Sequence, residues 1–300
     1  MIEHLLSEAT PPARVVVIGA GGFVGGAIAL RMERDGVPVL RVTRKDADLL
    51  APDAAERLAA LLRPGDSVVA AAAIAPAKTP EMLRDNLTLC IALVRALEQA
   101  EPAHVVNISS DAVFADGPLP LTEANPLAPG SYHGIMHLAR ETIFRTELRV
   151  PLAILRPTLV YGAGDPHNGY GPNQFRRKAQ RGEAITLFGE GEERRDHIHV
   201  DDVAEIAARV LYRRSTGDLN LASGTVTSFR EVAEIAVSLS QNALSSNAVP
   251  IQGSPRRGPM PHNGYRPFDI AACHAAFPDF TWRPLAEGMA EAAKTEFPDG

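Results

Sequence analysis

The chain has 300 residues, 45% of them hydrophobic and 22% charged, with a formal net charge of -6. That size buries a core without staples and allows one large domain or two modest ones. The composition excludes disordered and fibrous classes, no apolar run reaches the ~18 residues of a membrane span, and the acidic balance argues against nucleic acid as a partner.

Along the first half, short apolar runs alternate with helical periods. The runs are Val15–Ile18, Val37–Val42, Ser67–Ala73, Val105–Ile108 and Leu152–Leu155. None alternates cleanly between apolar and polar, which predicts strands buried on both faces of a parallel sheet. Helices are expected between them at Phe23–Asp35, Asp53–Leu62, Glu81–Gln99 and Ser131–Arg149. Strand and helix in repeated alternation predict an α/β fold with a doubly wound parallel sheet of the Rossmann type.

Beyond Tyr161 the pattern loosens. The Gly-rich, Pro-rich segment 162–174 reads as a loop, and a short strand fits Ile185–Phe188. Helices fit Asp202–Tyr212 and Phe229–Leu239, where Asp202 with Glu205 and Ser228 with Glu231 have capping-box spacing. Residues 241–268 read as a long loop, followed by two short helices. The expected organisation is a dinucleotide-binding domain over 1–165, with 195–225 returning to it. A smaller, discontinuous substrate lobe is expected from 166–194 and 226–300.

The strongest local signal is VVVIGAGGFVG, residues 15–25. A buried strand runs into Gly19, Gly22 and Gly25 as a helix opens at Phe23 and Val24. Such glycines let backbone approach a pyrophosphate, and the helix start offers it free N–H groups. At the end of the second strand, where an acid would hold the ribose hydroxyl of NAD, stand Thr43, Arg44 and Lys45. Basic residues suit a 2′-phosphate, so NADP is expected, with NAD as the alternative. The fourth expected strand ends at Ser109 and Ser110, on the carboxyl edge where ligands bind, and Tyr132 opens a later helix. A serine hydroxyl and a phenol can together hold a carbonyl and move its proton. Taken singly, Ser110 is equally a helix cap and Tyr132 a packed aromatic.

The ordered set GAGGFVG, SSDAVF, Tyr132 on a helix, LRPTLVYG (155–162) and RRDHIHVDDVA (194–204) resembles the extended short-chain dehydrogenases/reductases, the NAD-dependent epimerase/dehydratase family of nucleotide-sugar enzymes. The resemblance covers about residues 14–240. It implies that Gly19, Gly22 and Gly25 hold the pyrophosphate, that Asp48 and Leu49 lie beside the adenine, and that Ala71, Ala72 and Ala73 run along the cofactor. It implies Ser110 and Tyr132 as catalytic residues, and Pro157 and Thr158 as the turn at the nicotinamide. It implies Asn173, Arg195 and Arg266 as contacts to the nucleotide half of a sugar substrate. The family also commonly dimerises through two helices, here Glu81–Gln99 and Ser131–Arg149.

One departure stands out. The family motif is Y-x-x-x-K, but the fourth residue after Tyr132 is Met136, and no lysine lies between Lys78 and Lys178. Arg140 is a further turn along the same face, where the family usually has Glu, and is a candidate for the lost cation. His133 and His137 stand off that face. The expectation is an NADP(H)-dependent oxidoreductase or epimerase acting on a nucleotide-activated sugar, by 4-keto reduction or epimerisation. The alternative is a cofactor-binding sensor or scaffold with lost or residual catalysis. The start MIEHLLSEATPPA lacks the basic-then-apolar order of a secretory signal. Cys90 and Cys273, far apart, suit a reducing cytoplasmic setting and alone make no metal site, so no metal is expected.

Overall fold

The computed structural model describes residues 2–240, 249–256 and 258–297. The apolar runs become β2 (Val15–Ile18), β3 (Val39–Val42), β4 (Ser67–Ala70), β5 (His104–Ile108) and β6 (Leu152–Pro157). Together with β10 (Ser215–Leu221) and the N-terminal β1 (Glu3–His4) they form a seven-stranded sheet, ordered β1-β10-β6-β5-β4-β2-β3. All neighbours are parallel except β1, which pairs antiparallel with β10 at the edge. The winding direction reverses between β2 and β4, and a reversal of this kind opens a crevice at the carboxyl ends of the strands.

The missing alternation has a simple cause. Val15 and Val17 face one core while Val16 and Ile18 face the other. Helices α1 (Phe23–Arg34) and α6 (Val200–Tyr212) pack together on the first face. Helices α2 (Ala54–Ala59), α3 (Pro80–Ala100) and α4 (Tyr132–Glu147) cover the second. A smaller unit holds β7 (Leu159–Tyr161), β9 (Arg194–His199), β11 (Val226–Ser228) and β13 (Tyr265–Arg266) in one sheet. Strands β8 (Ile185–Phe188) and β12 (Ile251–Ser254) make another. Its core, around Phe175, Phe229 and Met289, is closed by α5 (Pro172–Gln180), α7 (Phe229–Ser238) and α9 (Leu285–Glu296).

Several expected boundaries move. Helix α5 starts inside the expected loop 162–174, with Pro172 in its first turn, where a missing N–H costs nothing. Helix α6 is capped by His199, whose Nδ1 accepts the Asp201 N–H, so Asp202 lies within the helix and makes no capping box. Ser228 and Glu231 do form theirs. Of the returning stretch 195–225, α6 and β10 join the large sheet, but β9 belongs to the small one. Part of 226–300 also crosses over. Cys273, on α8 (Ala271–Ala276), and Phe277, Phe280 and Trp282 bury themselves in the α1–α6 core. Within 241–268, β12, a 3-10 turn at Pro261–Gly264 and β13 replace part of the expected loop, while 241–248 and 257 lie outside the described residues. Among the described residues, no helix is long and apolar enough to cross a membrane.

A buried ion network ties α4 to β6. Arg156, fully buried, donates to Glu141 at 2.9 and 2.7 Å and to Asp218 at 2.8 Å. Removing one partner of a buried pair strands the other charge, at a cost of about 3–5 kcal/mol. Arg156→Met should lower the unfolding free energy by about that amount in chemical denaturation, and Arg156→Met combined with Glu141→Leu should recover part of the loss.

Candidate active site

Strand β2 ends at Gly19, whose φ of +91° favours glycine; a Cβ there would also fall 2.6 Å from the Ala72 nitrogen. A Cβ on Gly25 would fall 2.4 Å from the Gly19 carbonyl oxygen. The turn, α1 and the end of β4 can meet only because these positions carry no side chain. Gly22 caps α1 without a side-chain bond, and no acid occupies the first turn, so its N–H groups face the crevice uncompensated.

The crevice opens as a cavity of about 720 Å³ lined by Gly19, Gly22, Thr43–Lys45, Asp48, Leu49 and Ala71–Ala73. It continues into a cleft of about 380 Å³ that meets Phe23, Val24, Gly25, Pro157, Thr158, Ser110 and Asn173. Thus every residue expected at the cofactor lies along one path. At its outer end Asp46 is engaged by the backbone N–H and hydroxyl of Thr43. Arg44 is 79% exposed and touches Asp48 at 3.1 Å.

Ser110 follows β5 and caps the 3-10 turn Asp111–Val113, its Oγ accepting the Ala112 N–H at 3.2 Å. Ser110 is thus a cap, and the same residue lines the cleft. Helix α4 presses against this turn. A Cβ on Gly134 would lie 2.1 Å from the Ala112 carbonyl oxygen, so only glycine permits that approach.

The rotation of α4 departs from expectation. Tyr132 is 41% exposed, Met136 is 1% exposed, and neither lines any of the three described cavities. His133 and His137 line the cleft instead, their rings edge to face at 4.7 Å. The Nδ1 atoms of both are buried without a hydrogen-bond partner. Burial holds both imidazoles below their ordinary range; Arg140 and His133 push His137 further down, and Asp111 pulls His133 back up. Arg140 does not reach the cleft as a free cation. Its guanidinium donates to Asn107 Oδ1 at 2.6 Å and to the Ala70 and Ala72 carbonyls at the end of β4. Glu141, one residue on from Arg140, accepts from Ser109 and Arg156.

At the substrate end, the structure brings Arg195 and Arg266 together as partners across β9 and β13, but outside the described cavities. Both face acids. Arg266, 1% exposed, bonds Asp111 and Asp116, and Arg195 lies 3.6 Å from Asp111 and 3.3 Å from Glu193. Asn173 lines the cleft, but its amide is spent on the Gly162 N–H and Asp165. The Thr158 hydroxyl donates to Asp196, a carboxyl that burial pushes up to about 6. His197, overlooked in the sequence, is 3% exposed in the same cleft with neither ring nitrogen bonded. Its position in the HIHVDD run gave no signal, because strand alternation alone does not say which side chains meet a cavity.

A parallel doubly wound sheet, a glycine-lined crevice at its switch point and a cleft between sheet and lobe define a dinucleotide-binding α/β protein. The chain belongs to the NAD dependent epimerase/dehydratase family, whose model matches residues 15–222. It is 27% identical over 306 residues to dTDP-6-deoxy-L-talose 4-dehydrogenase (NAD(P)(+)) of Kitasatospora kifunensis, covering 94% of this chain and 95% of that protein. A GDP-L-fucose synthetase from Naegleria fowleri bound to NADP superimposes with a TM-score of 0.81 at 16% identity, over 99% of this chain and 95% of the other. The Thermus thermophilus UDP-glucose 4-epimerase in complex with NAD gives 0.77 at 23%, over 95% and 99%.

His197 sets a pH dependence of stability. Burial holds its folded value down to about 3, below the ordinary 6.5 of the unfolded chain. Its contribution is complete above pH 6.5 and is lost as pH falls towards 3, at about 1.4 kcal/mol per pH unit. His197→Phe should flatten the acid limb of unfolding free energy against pH by about that slope.

Proposed function

We propose that the protein is an NADP(H)-dependent oxidoreductase or epimerase acting on a nucleotide-activated sugar, with 4-keto reduction or epimerisation as its reaction. The observation that carries the reading is the unbroken path from the glycine turn, past Ala71–Ala73, to Ser110 and Thr158. Family membership and the sugar-nucleotide relative support it. The crevice fits a dinucleotide, because the Gly19 and Gly25 approaches leave backbone and helix N–H groups where a pyrophosphate would lie. When bound, such a cofactor supplies or accepts a hydride. The chain's own part is to hold the ring against Pro157 and Thr158 and to hold a carbonyl at Ser110.

Arg44 and Lys45 line the adenosine end and favour a 2′-phosphate. The exposed Ile91 and Ile135, on α3 and α4, suit the pairing of two copies through these helices, and the two buried free thiols suit a cytoplasmic setting. A second reading, a binder without turnover, draws on Tyr132 and Met136 lying off the cleft and on the acids facing Arg195 and Arg266.

Titration of the cofactors should show NADPH binding about 10-fold or more tighter than NADH, with Arg44→Ala narrowing the gap. Equal affinities would contradict the NADP assignment. Hydride transfer to a panel of 4-keto nucleotide sugars separates enzyme from binder: turnover that Ser110→Ala lowers by about 100-fold supports the first, and cofactor binding with no turnover supports the second.

A further inference from the structure

We infer that the acid–base group of this cleft is the imidazole of His133, with His137 as its positioning residue, and that the Tyr132 phenol takes no part. The inference rests on the proposed function and names the group that handles the proton there. Three observations carry it. His133 and His137 stand one helical turn apart and both line the cleft beside Ser110, whereas Tyr132 and Met136 line none of the described cavities. Gly134 lets the first turn of α4 close onto the Ala112 carbonyl, so the residue before it sits against the turn that carries Ser110. The Nδ1 atoms of both rings are buried without hydrogen-bond partners, which leaves Nε2 as the nitrogen of each ring that can exchange a proton with the cleft. Among the described residues no group of three or more His, Cys, Asp and Glu side chains could hold a metal ion, so the pair is not part of such a set.

The chemistry balances with the cofactor named above. In reduction, the carbonyl carbon gains a hydride, the C=O π pair passes to oxygen, and that oxygen takes a proton from the His133 imidazolium. The ketone becomes the alcohol, NADPH becomes NADP⁺, and His133 regains its proton from solvent. In oxidation, neutral His133 accepts the hydroxyl proton as the hydride leaves. His137, packed edge to face against His133, fixes the plane of its ring.

The groups facing the pair set the sign of the pH dependence. Asp111, from the 3-10 turn, favours protonated His133 but is itself bonded to Arg266. Arg140, on the next turn of α4, disfavours charge on His137. Tyr161, Asp165, His167, Tyr170 and His197 line the remainder of the cleft. Burial outweighs these, so His133 is neutral at pH 7. Oxidation should then run without further activation of the base, and reduction should gain from acid.

The test uses the full-length protein. NMR titration of its histidine rings, without cofactor, should place His133 below the ordinary 6.5 or so. NADPH-dependent reduction should have kcat/KM that falls about tenfold per pH unit above that same pH, with oxidation as the mirror image. His133→Gln should lower kcat by about 100-fold or more while NADPH affinity is kept, and should abolish the inflection. His137→Gln should lower kcat with the inflection unmoved, and Tyr132→Phe should leave both unchanged. Turnover that survives His133→Gln, a loss confined to Tyr132→Phe, or an inflection near the phenolic value of about 10 overturns this inference alone. A protein that binds no NADPH, or binds it and reduces nothing in the panel, overturns the functional reading and this inference with it.

Discussion

The buried guanidinium of Arg140 sets the geometry of the site. It ends in three neutral acceptors, the Asn107 side chain and the Ala70 and Ala72 carbonyls, and is 2% exposed. A buried cation must satisfy its donors or pay several kcal/mol in lost hydration, so these bonds are not optional. One residue on, Glu141 is held as firmly by Ser109 and Arg156. Two adjacent anchors, one to the end of β4 and one to β5 and β6, allow α4 a single rotation about its axis. That rotation aims His133 and His137 into the cleft and leaves Tyr132 outside it.

The same bonds shape the cofactor side. By gripping the Ala70 and Ala72 carbonyls, Arg140 fixes the strand end against which Gly19 and Gly25 pack. The wall of the crevice and the face of α4 are therefore joined through one side chain. Charge follows the same economy. Burial holds His133, His137 and His197 below their ordinary range, while Arg195 and Arg266 are matched by Asp111, Asp116 and Glu193. Any phosphate that approaches these arginines must compete with carboxylates already in place.

Much of the fold was legible because its signals are local. Val15–Ile18 became a strand with those bounds, and the glycine turn lies where strand and helix had to meet. The rotation of α4 was not legible. Tyr132, Met136 and Arg140 share one i, i+4, i+8 spacing, and His133, His137 and Glu141 share another, so periodicity cannot choose between them. The choice is made by long-range contacts to Asn107, Ser109 and Arg156, which spacing along one helix does not report. The pairing of β1 with β10 and the return of α8 to the main core were hidden for the same reason: each segment is too short to carry a period and is stabilised only by distant partners. Of the acids facing Arg195 and Arg266, Asp111 and Asp116 lie in and just beyond the 3-10 turn, where only the folded chain brings them to these arginines, whereas Glu193 is a near neighbour of Arg195 in sequence.

The rotation of α4 can be read by ring-resolved NMR with labelled histidine and tyrosine. On saturation with NADP⁺, the His133 and His137 ring signals should shift while those of Tyr132, which lines no described cavity, stay in place. A shift of the Tyr132 ring with both histidines unmoved would contradict this placement of α4.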